Sequence, residues 1–189
     1  RQRVELLHRM SPRLHGFFRF PIYQGGRRVK TIAASGGIWQ EAGMTQTPRF
    51  LRSALFVPAA NGRALARSAD FDADALIFDL EDSAAPEEKA EARERLRDHL
   101  ATPRGSAMRV VRINPLATPE GTEDLLMARG AHADAILVPK VDRAADLLEV
   151  SAALEQTDAP PALQVWAMVE TPLGILCLLY TSDAADDSL

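Results

Sequence analysis

Apolar residues along this chain come in short unbroken runs, most of them ending in a polar or charged residue. Ser53 to Pro58 (SALFVP), Ala75 to Phe78 (ALIF), Met108 to Asn114 (MRVVRIN), Ala135 to Val141 (AILVPKV) and Gln164 to Thr171 (QVWAMVET) are the runs. A continuous apolar run of this length predicts a strand buried on both faces, as in a parallel sheet. The stretches between them read as helices. Asn61 to Ser68 is short. Pro86 to Leu100 opens with Pro-Glu-Glu, a good helix start, and sets Ala92, Leu96 and Leu100 on an inner stripe with Glu and Arg outside. Thr118-Pro119 starts a third helix that ends at Gly130, and Asp142 can cap a fourth that runs to about Leu154. The strands begin near residues 54, 75, 109, 135 and 164, a spacing of 21 to 34 residues per unit. Such regular alternation predicts an α/β fold with a parallel sheet.

The chemically capable side chains fall at the ends of these strands. Asp79, Glu81 and Asp82 follow the second run, Arg112 closes the third, Lys140 the fourth and Glu170 the fifth. Convergence at strand C-termini is the habit of a (β/α)8 TIM barrel, of which about five βα units are expected here. A complete barrel takes about 250 residues. A doubly wound sheet alternates in the same way but usually carries a Gly-rich phosphate loop after its first strand. Neither GxGxxG nor GxxxxGK[ST] occurs.

Each candidate has a plain structural alternative. The acids at 79–82 are either a ligand site or a solvated strand end. Arg63 and Arg67, four residues apart, share a helix face that either holds a phosphate or faces water, and spacing alone favours water. Arg112 lies in an apolar run and needs a partner, because an unpaired buried charge is costly. That partner is a bound carboxylate, which suits a guanidinium fork, or one of the acids at 79–82.

Composition narrows the class. The chain has 189 residues, 47% hydrophobic and 25% charged, enough for one domain with a sizeable core. Cys177 is the single cysteine, so neither an intrachain disulfide nor a cysteine zinc site is expected. No apolar run is long enough to span a membrane, and no signal-peptide core stands near the start. The net charge of -4 hides an asymmetry: residues 1–43 carry +6 and the remaining 146 residues carry -10. The basic end, with no sustained period, reads as a nucleic-acid or membrane arm, a transit peptide, or a non-native or disordered extension ahead of a true start at Met44. The last of these is the expectation taken here, with neither nucleic acid nor membrane as partner.

Five segments in order carry a family resemblance: LFVP (55–58), DALIFDLEDSAAPEEKAEAR (74–93), RINPLATPEG (112–121), ILVPKV (136–141) and AMVETPLGIL (167–176). Together they resemble the citrate lyase β-subunit family, grouped with malyl-CoA and citramalyl-CoA lyases among the HpcH/HpaI-type aldolases. The resemblance covers about residues 50–176 and is specific to the family, not to a substrate. It implies a magnesium-dependent TIM barrel, cytoplasmic, that cleaves a 3-hydroxyacyl-CoA to an acyl-CoA and a 2-oxo acid. It further implies a homo-oligomer or a subunit of a lyase complex. By matched motif, Arg112 would clamp the oxo-acid carboxylate and Glu170 would bind magnesium and help hold substrate. Glu81 and Asp82 would hold magnesium-bound waters as part of the catalytic set, and Arg63 and Arg67 would contact CoA phosphates. A hard cation wants carboxylate oxygens and keeps waters, which suits this set.

Two departures from the family pattern qualify this. Ala59 stands where the family usually has Gly, and the pattern stops at Leu176. The family's second magnesium carboxylate and its C-terminal lid have no counterpart here. Residues 177–189 resemble a spurious translated tail. The expectation is therefore that residues 44–176 are the N-terminal part of a lyase barrel, inactive by itself. Other expectations kept open are a thioesterase, a CoA-free 2-oxo acid aldolase, or a non-catalytic barrel that binds CoA or a partner.

Overall fold

A computed structural model of the chain describes residues 17–20, 51–103 and 105–176. Strand β1 is Phe17–Phe20, β2 Ala54–Pro58, β3 Ala75–Asp79, β4 Met108–Arg112, β5 Ala135–Val138 and β6 Gln164–Met168. Helix α1 is Gly62–Arg67, α2 Lys89–Leu100, α3 Pro119–Gly130 and α4 Ala144–Gln156. All five apolar runs are strands, and all four predicted helices form within a few residues of their expected ends. A further helical stretch begins at 172.

The sheet order is β1-β6-β5-β4-β3-β2. From β2 to β6 every strand pairs in parallel with its predecessor in the chain. Each crossover therefore steps one strand in the same direction. A doubly wound sheet reverses direction partway; a barrel does not. The helices confirm the difference. Leu65 of α1, Ala92 and Leu96 of α2, Leu125 and Ala128 of α3, and Leu147 and Leu154 of α4 all join one buried cluster. Its sheet side is Val57, Leu76, Phe78, Val111, Ile136, Val138 and Val165. The opposite face of the sheet holds a second cluster, Ala75, Ile77, Val110, Ala135, Leu137 and Trp166, to which no helix contributes. Helices on one face and stacked apolar side chains on the other describe consecutive βα units of a TIM-type barrel.

The N-terminal basic end differs from its reading as aperiodic extension at one place: β1 pairs antiparallel with β6 at the sheet edge. An unpaired strand edge accepts any short extended segment through backbone hydrogen bonds, without a periodic side-chain pattern. The rest of residues 1–43, read as an extension, and the tail 177–189, read as spurious, lie outside the described residues.

Local chemistry explains the helix ends. Asn61 caps α1, its Oδ1 accepting the N–H groups of Arg63 at 3.1 Å and Ala64 at 3.2 Å. Pro86–Glu88 forms a 3-10 turn rather than the first turn of α2. Thr118 caps α3 ahead of Pro119. Asp142 does not cap α4. The cap is Arg143, and Asp146 Oδ2 accepts the N–H groups of Asp142 and Arg143 at 3.0 and 2.9 Å. Asp142 instead accepts a hydrogen bond from Thr171.

Gly121 sits where the first turn of α3 crosses the segment that leaves β4. A Cβ there would lie 2.2 Å from the Pro115 carbonyl oxygen and 2.7 Å from that of Asn114. Backbone cannot yield as a side-chain tip can. Gly121→Ala is therefore expected to cost more than about 2 kcal/mol in a urea melt, by overpacking.

His99, near the end of α2, packs edge-on against Phe78 with centroids 5.3 Å apart. Ser68 Oγ donates to the Leu65 carbonyl, so it accepts from His99 Nε2 at 3.1 Å. Burial, then the nearby Arg109 charge, holds the imidazole pKa below its ordinary value. Folding thus favours neutral His99. Its stabilising contribution is full above about pH 6.5, the unfolded value, and is lost as pH falls through the lowered folded one. Melts between pH 7 and 5 are expected to show a decline that His99→Phe flattens in part.

Candidate functional site

The register of β3 and β4 sets Asp79 beside Arg112, the last pair of that ladder. Along β3, Ala75 and Ile77 face the interior cluster, and Asp79 follows on the same face by strand alternation. Along β4, Met108, Val110 and Arg112 do the same. The concave face is thus apolar below and ionic at its C-terminal rim. Arg112 Nε and Nη2 each lie 2.8 Å from an Asp79 oxygen, a bidentate pair. Arg112 Nη1 lies 3.1 Å from Glu81 Oε2, and Nη2 3.1 Å from Asp82 Oδ2. The guanidinium also sits 5.1 Å from the centre of the Phe56 ring. Its side chain is 7% exposed and Asp79's is 9%. Burial opposes the Arg112 charge, but Asp79, Glu81 and Asp82 outweigh it and hold the pKa above its ordinary value.

Glu81 is the most enclosed of the rim acids, with its side chain 4% exposed. Its Oε2 lies near Arg112 yet outside hydrogen-bond geometry, and is buried with no hydrogen-bond partner. Burial pushes its carboxyl pKa up, against the pull of Lys140 and Arg112. Lys140 Nζ donates to Glu81 Oε1 at 2.6 Å. The same residue donates its backbone N–H to Glu170 Oε1 at 3.1 Å. Glu170 is exposed at the end of β6. Thr171 Oγ1 accepts the N–H of Gly174 at 2.9 Å and fixes the turn that follows Glu170. Gly174 lets that turn approach the segment after β5, since a Cβ would meet the Val141 carbonyl at 2.4 Å.

A buried polar scaffold holds these loops. Asn114 donates from Nδ2 to the Leu80 carbonyl at 3.0 Å and to Asp124 Oδ2 at 2.7 Å. Asp124, fully buried on α3, also accepts Arg93 Nε at 2.8 Å. Lys89 Nζ donates to the Glu81 carbonyl at 3.2 Å and to Asn114 Oδ1. So α2 and α3 both grip the segment that carries Glu81.

Glu81, Asp82, Arg112 and Glu170 thus come together at one rim, linked by Lys140 and Asp79. Both sequence alternatives for Arg112 bear on this: its structural partner is Asp79, with Glu81 and Asp82 at its edge. Arg63 lines an open depression with Ala60, Asn61, Gly62 and Arg95. Arg67 is exposed and is not part of that lining. Sequence reasoning missed Arg95, whose Nη1 donates to the Ala60 carbonyl at 2.6 Å. It also assigned no role to Lys140, Lys89 or Asn114. For Lys140 a signal existed, a lone cation at a strand end; the others sit in polar stretches without distinguishing spacing.

Among the described residues no group of three or more His, Cys, Asp or Glu stands close enough to hold a metal ion. Glu170, an exposed hard oxygen donor, does fit a cation that binds one or two carboxylates and keeps its waters.

Consecutive βα units with an acid and guanidinium cluster at the C-terminal ends of their strands define a barrel-type fold and its candidate site. The chain belongs to the HpcH/HpaI aldolase/citrate lyase family, whose model matches residues 52–179. It is 43% identical over 126 residues to a (3S)-malyl-CoA thioesterase of Cereibacter sphaeroides, covering 66% of this chain and 42% of that one. It is 37% identical over 144 residues to the citrate lyase subunit beta of Escherichia coli, covering 73% and 48%. The structure superposes on a citrate lyase beta subunit from M. tuberculosis, complexed with oxaloacetate and magnesium, with a TM-score of 0.52 and 35% identity over 66% of this chain and 49% of that one. The chain spans about half the length of the curated relatives it matches.

The buried pair gives a direct test. Arg112→Met strands Asp79 and Glu81 and is expected to cost about 3–5 kcal/mol, whereas Asp79→Leu with Arg112→Met recovers only the share due to Asp79. Urea melts of the two single variants and the double variant measure this coupling.

Proposed function

We propose that the protein is a magnesium-dependent carbon–carbon lyase that cleaves a 3-hydroxyacyl-CoA of the citryl, malyl or citramalyl type into an acyl-CoA and a 2-oxo acid. One observation carries the reading: Arg112, Glu81, Asp82 and Glu170, drawn from three separate βα units, meet at the C-terminal rim of consecutive parallel strands. Structural pairing alone would require only Asp79 for Arg112.

Cleavage removes a proton from the 3-hydroxyl, breaks the bond to the thioester's α-carbon and leaves an enolate that takes up a proton. Glu170, with Glu81 and Asp82 behind it, would hold magnesium, which would supply positive charge to the forming 2-oxo group. Arg112 supplies a fixed positive field for the oxo-acid carboxylate, and its pairing with Asp79 keeps the fork from rotating. Arg112 and Glu81 are nearly buried, which strengthens the interactions that they make. Arg63 and Arg95 at their depression, with Arg67 farther along α1, are the basic groups for CoA phosphates. The protein works in the cytoplasm, as a homo-oligomer or within a lyase complex.

A thioesterase is the second reading, supported by the similarity to a malyl-CoA thioesterase. The natural full-length protein is to be given citryl-, malyl- and citramalyl-CoA, with the products followed separately. The lyase reading expects acyl-CoA and a 2-oxo acid in equal amounts and loss of turnover with EDTA. Free CoA released with an intact hydroxy acid would establish the thioesterase. Cleavage of free hydroxy acids would point to a CoA-free aldolase, and CoA binding without turnover to a non-catalytic barrel.

A further inference from the structure

The backbone at Lys140 is held where lysine rarely goes. Its φ is +51°, in the left-handed region. Two other non-glycine residues share that sign, His132 and Asp158, and both lie just past the ends of α3 and α4. Left-handed residues are the ordinary way to close a helix. Lys140 closes no helix. It stands two residues beyond β5, on the rim that carries Arg112, Glu81 and Glu170. A bulky non-glycine residue in that region is strained, and such residues cluster at functional sites.

The conformation has two visible results. The Lys140 N–H is turned to Glu170 Oε1 at 3.1 Å, and the side chain returns to Glu81 Oε1 at 2.6 Å. Lys140 therefore ties together two acids from different βα units. The remaining cations at the rim have little left to offer a ligand. Every nitrogen of the Arg112 fork faces a carboxylate of Asp79, Glu81 or Asp82, and the side chain is 7% exposed. Lys89 gives hydrogen bonds to the Glu81 carbonyl and to Asn114. Lys140 is 53% exposed at its side chain, with one hydrogen bond to Glu81. An ammonium has three donors. Two of them point away from Glu81 at a rim where Arg112 is held by acids and Lys89 by a backbone carbonyl and an amide.

We propose that Lys140 is a substrate-anchoring residue, whose ammonium, oriented by Glu81, receives the carboxylate of the 2-oxo acid beside the fixed Arg112 charge. The inference rests on the lyase reading for the identity of the anion. Glu81 is the positioning group: it holds the ammonium in place, and its unbonded Oε2 faces Arg112 from the same carboxyl. The left-handed backbone is what allows one residue to reach Glu81 with its side chain while bonding Glu170 with its amide.

Binding of oxaloacetate, followed by calorimetry on the natural full-length protein with and without magnesium, tests this apart from turnover. Lys140→Met is expected to raise the Kd about tenfold or more, the loss that goes with one charge-assisted hydrogen bond. Lys140→Arg, which keeps charge and donors, is expected to stay within about threefold of wild type, the larger part of that bond being retained. Lys140→Gly removes the ammonium but relieves the backbone, so it should bind as poorly as Lys140→Met while melting above that variant. A Lys140→Met variant that binds oxaloacetate like wild type, or that loses thermal stability with Kd unchanged, overturns the proposal, as does wild-type protein with no measurable affinity. Wild-type protein that binds oxaloacetate through Lys140 but cleaves no thioester removes the lyase reading and leaves this one standing.

Discussion

The pairing of Arg112 with Asp79 is the constraint on which the rim depends. It exists because β3 and β4 run parallel in one register, with both residues at the same rung and on the same face. A slip of one residue would turn Arg112 toward the helices and Asp79 away from it. The bidentate bond therefore reports the register and also helps to fix it. Removing one partner would leave a buried charge, so the pair penalises alternative registers more than it adds to net stability.

From that rung the order spreads outward through hydrogen bonds rather than apolar contact. Glu81 N–H returns to Asp79 Oδ1 at 2.9 Å, so the loop after β3 starts from the ion pair itself. Asn114, two residues after Arg112, reaches back to the Leu80 carbonyl, and Asp124 on α3 holds Asn114 by two bonds. Arg93 on α2 closes the circuit at Asp124. Loops on a barrel rim are exposed and mobile unless tied down. Here the two loops bearing the acids and the guanidinium are tied to each other and to both helices beneath them. That is the rigidity a site needs if its groups are to stay within a fraction of an ångström of working geometry.

Much of this is legible in the sequence. The five apolar runs set the strands, and proline with its preceding threonine set the start of α3. The position of acids and bases at run ends foretold the rim. What stayed hidden depended on registers and dihedrals that single positions do not encode. The partner of Arg112 was open among three acids, and only the β3–β4 register selects Asp79. Asp142 looked like the cap of α4, yet Asp146 bonds back to the backbone first and leaves Asp142 for Thr171. Lys140 was visible as a charge at a strand end, but nothing in ILVPKV signals a positive φ. Edge pairing by Phe17–Phe20 needs only backbone groups, so it left no period to find. The family resemblance supplied roles for Glu170 and Glu81, while the geometry added the lysine between them.

The rim breaks a rule that stable cores obey. A buried ionic cluster is commonly no better than apolar packing of the same shape, and Glu81 keeps a buried oxygen without a hydrogen bond. Its raised pKa says that Arg112 and Lys140 together do not fully offset the burial of its charge. Lys140 adds backbone strain on top of that. Each departure falls on the same rim, and none is found in the interior cluster a few residues below, where Ile77, Val110 and Leu137 are fully buried and apolar. Sequences usually satisfy local rules except where chemistry demands otherwise. The other buried side-chain atom without a hydrogen bond among the described residues, Arg129 Nε, lies on α3, so it is the meeting of an unbonded acid with a strained lysine, rather than either alone, that marks this rim as the candidate site. It also explains why the scaffold of Asn114, Asp124 and Arg93 has to be so fully bonded: a cluster that gains little from its own contacts must be held by its surroundings.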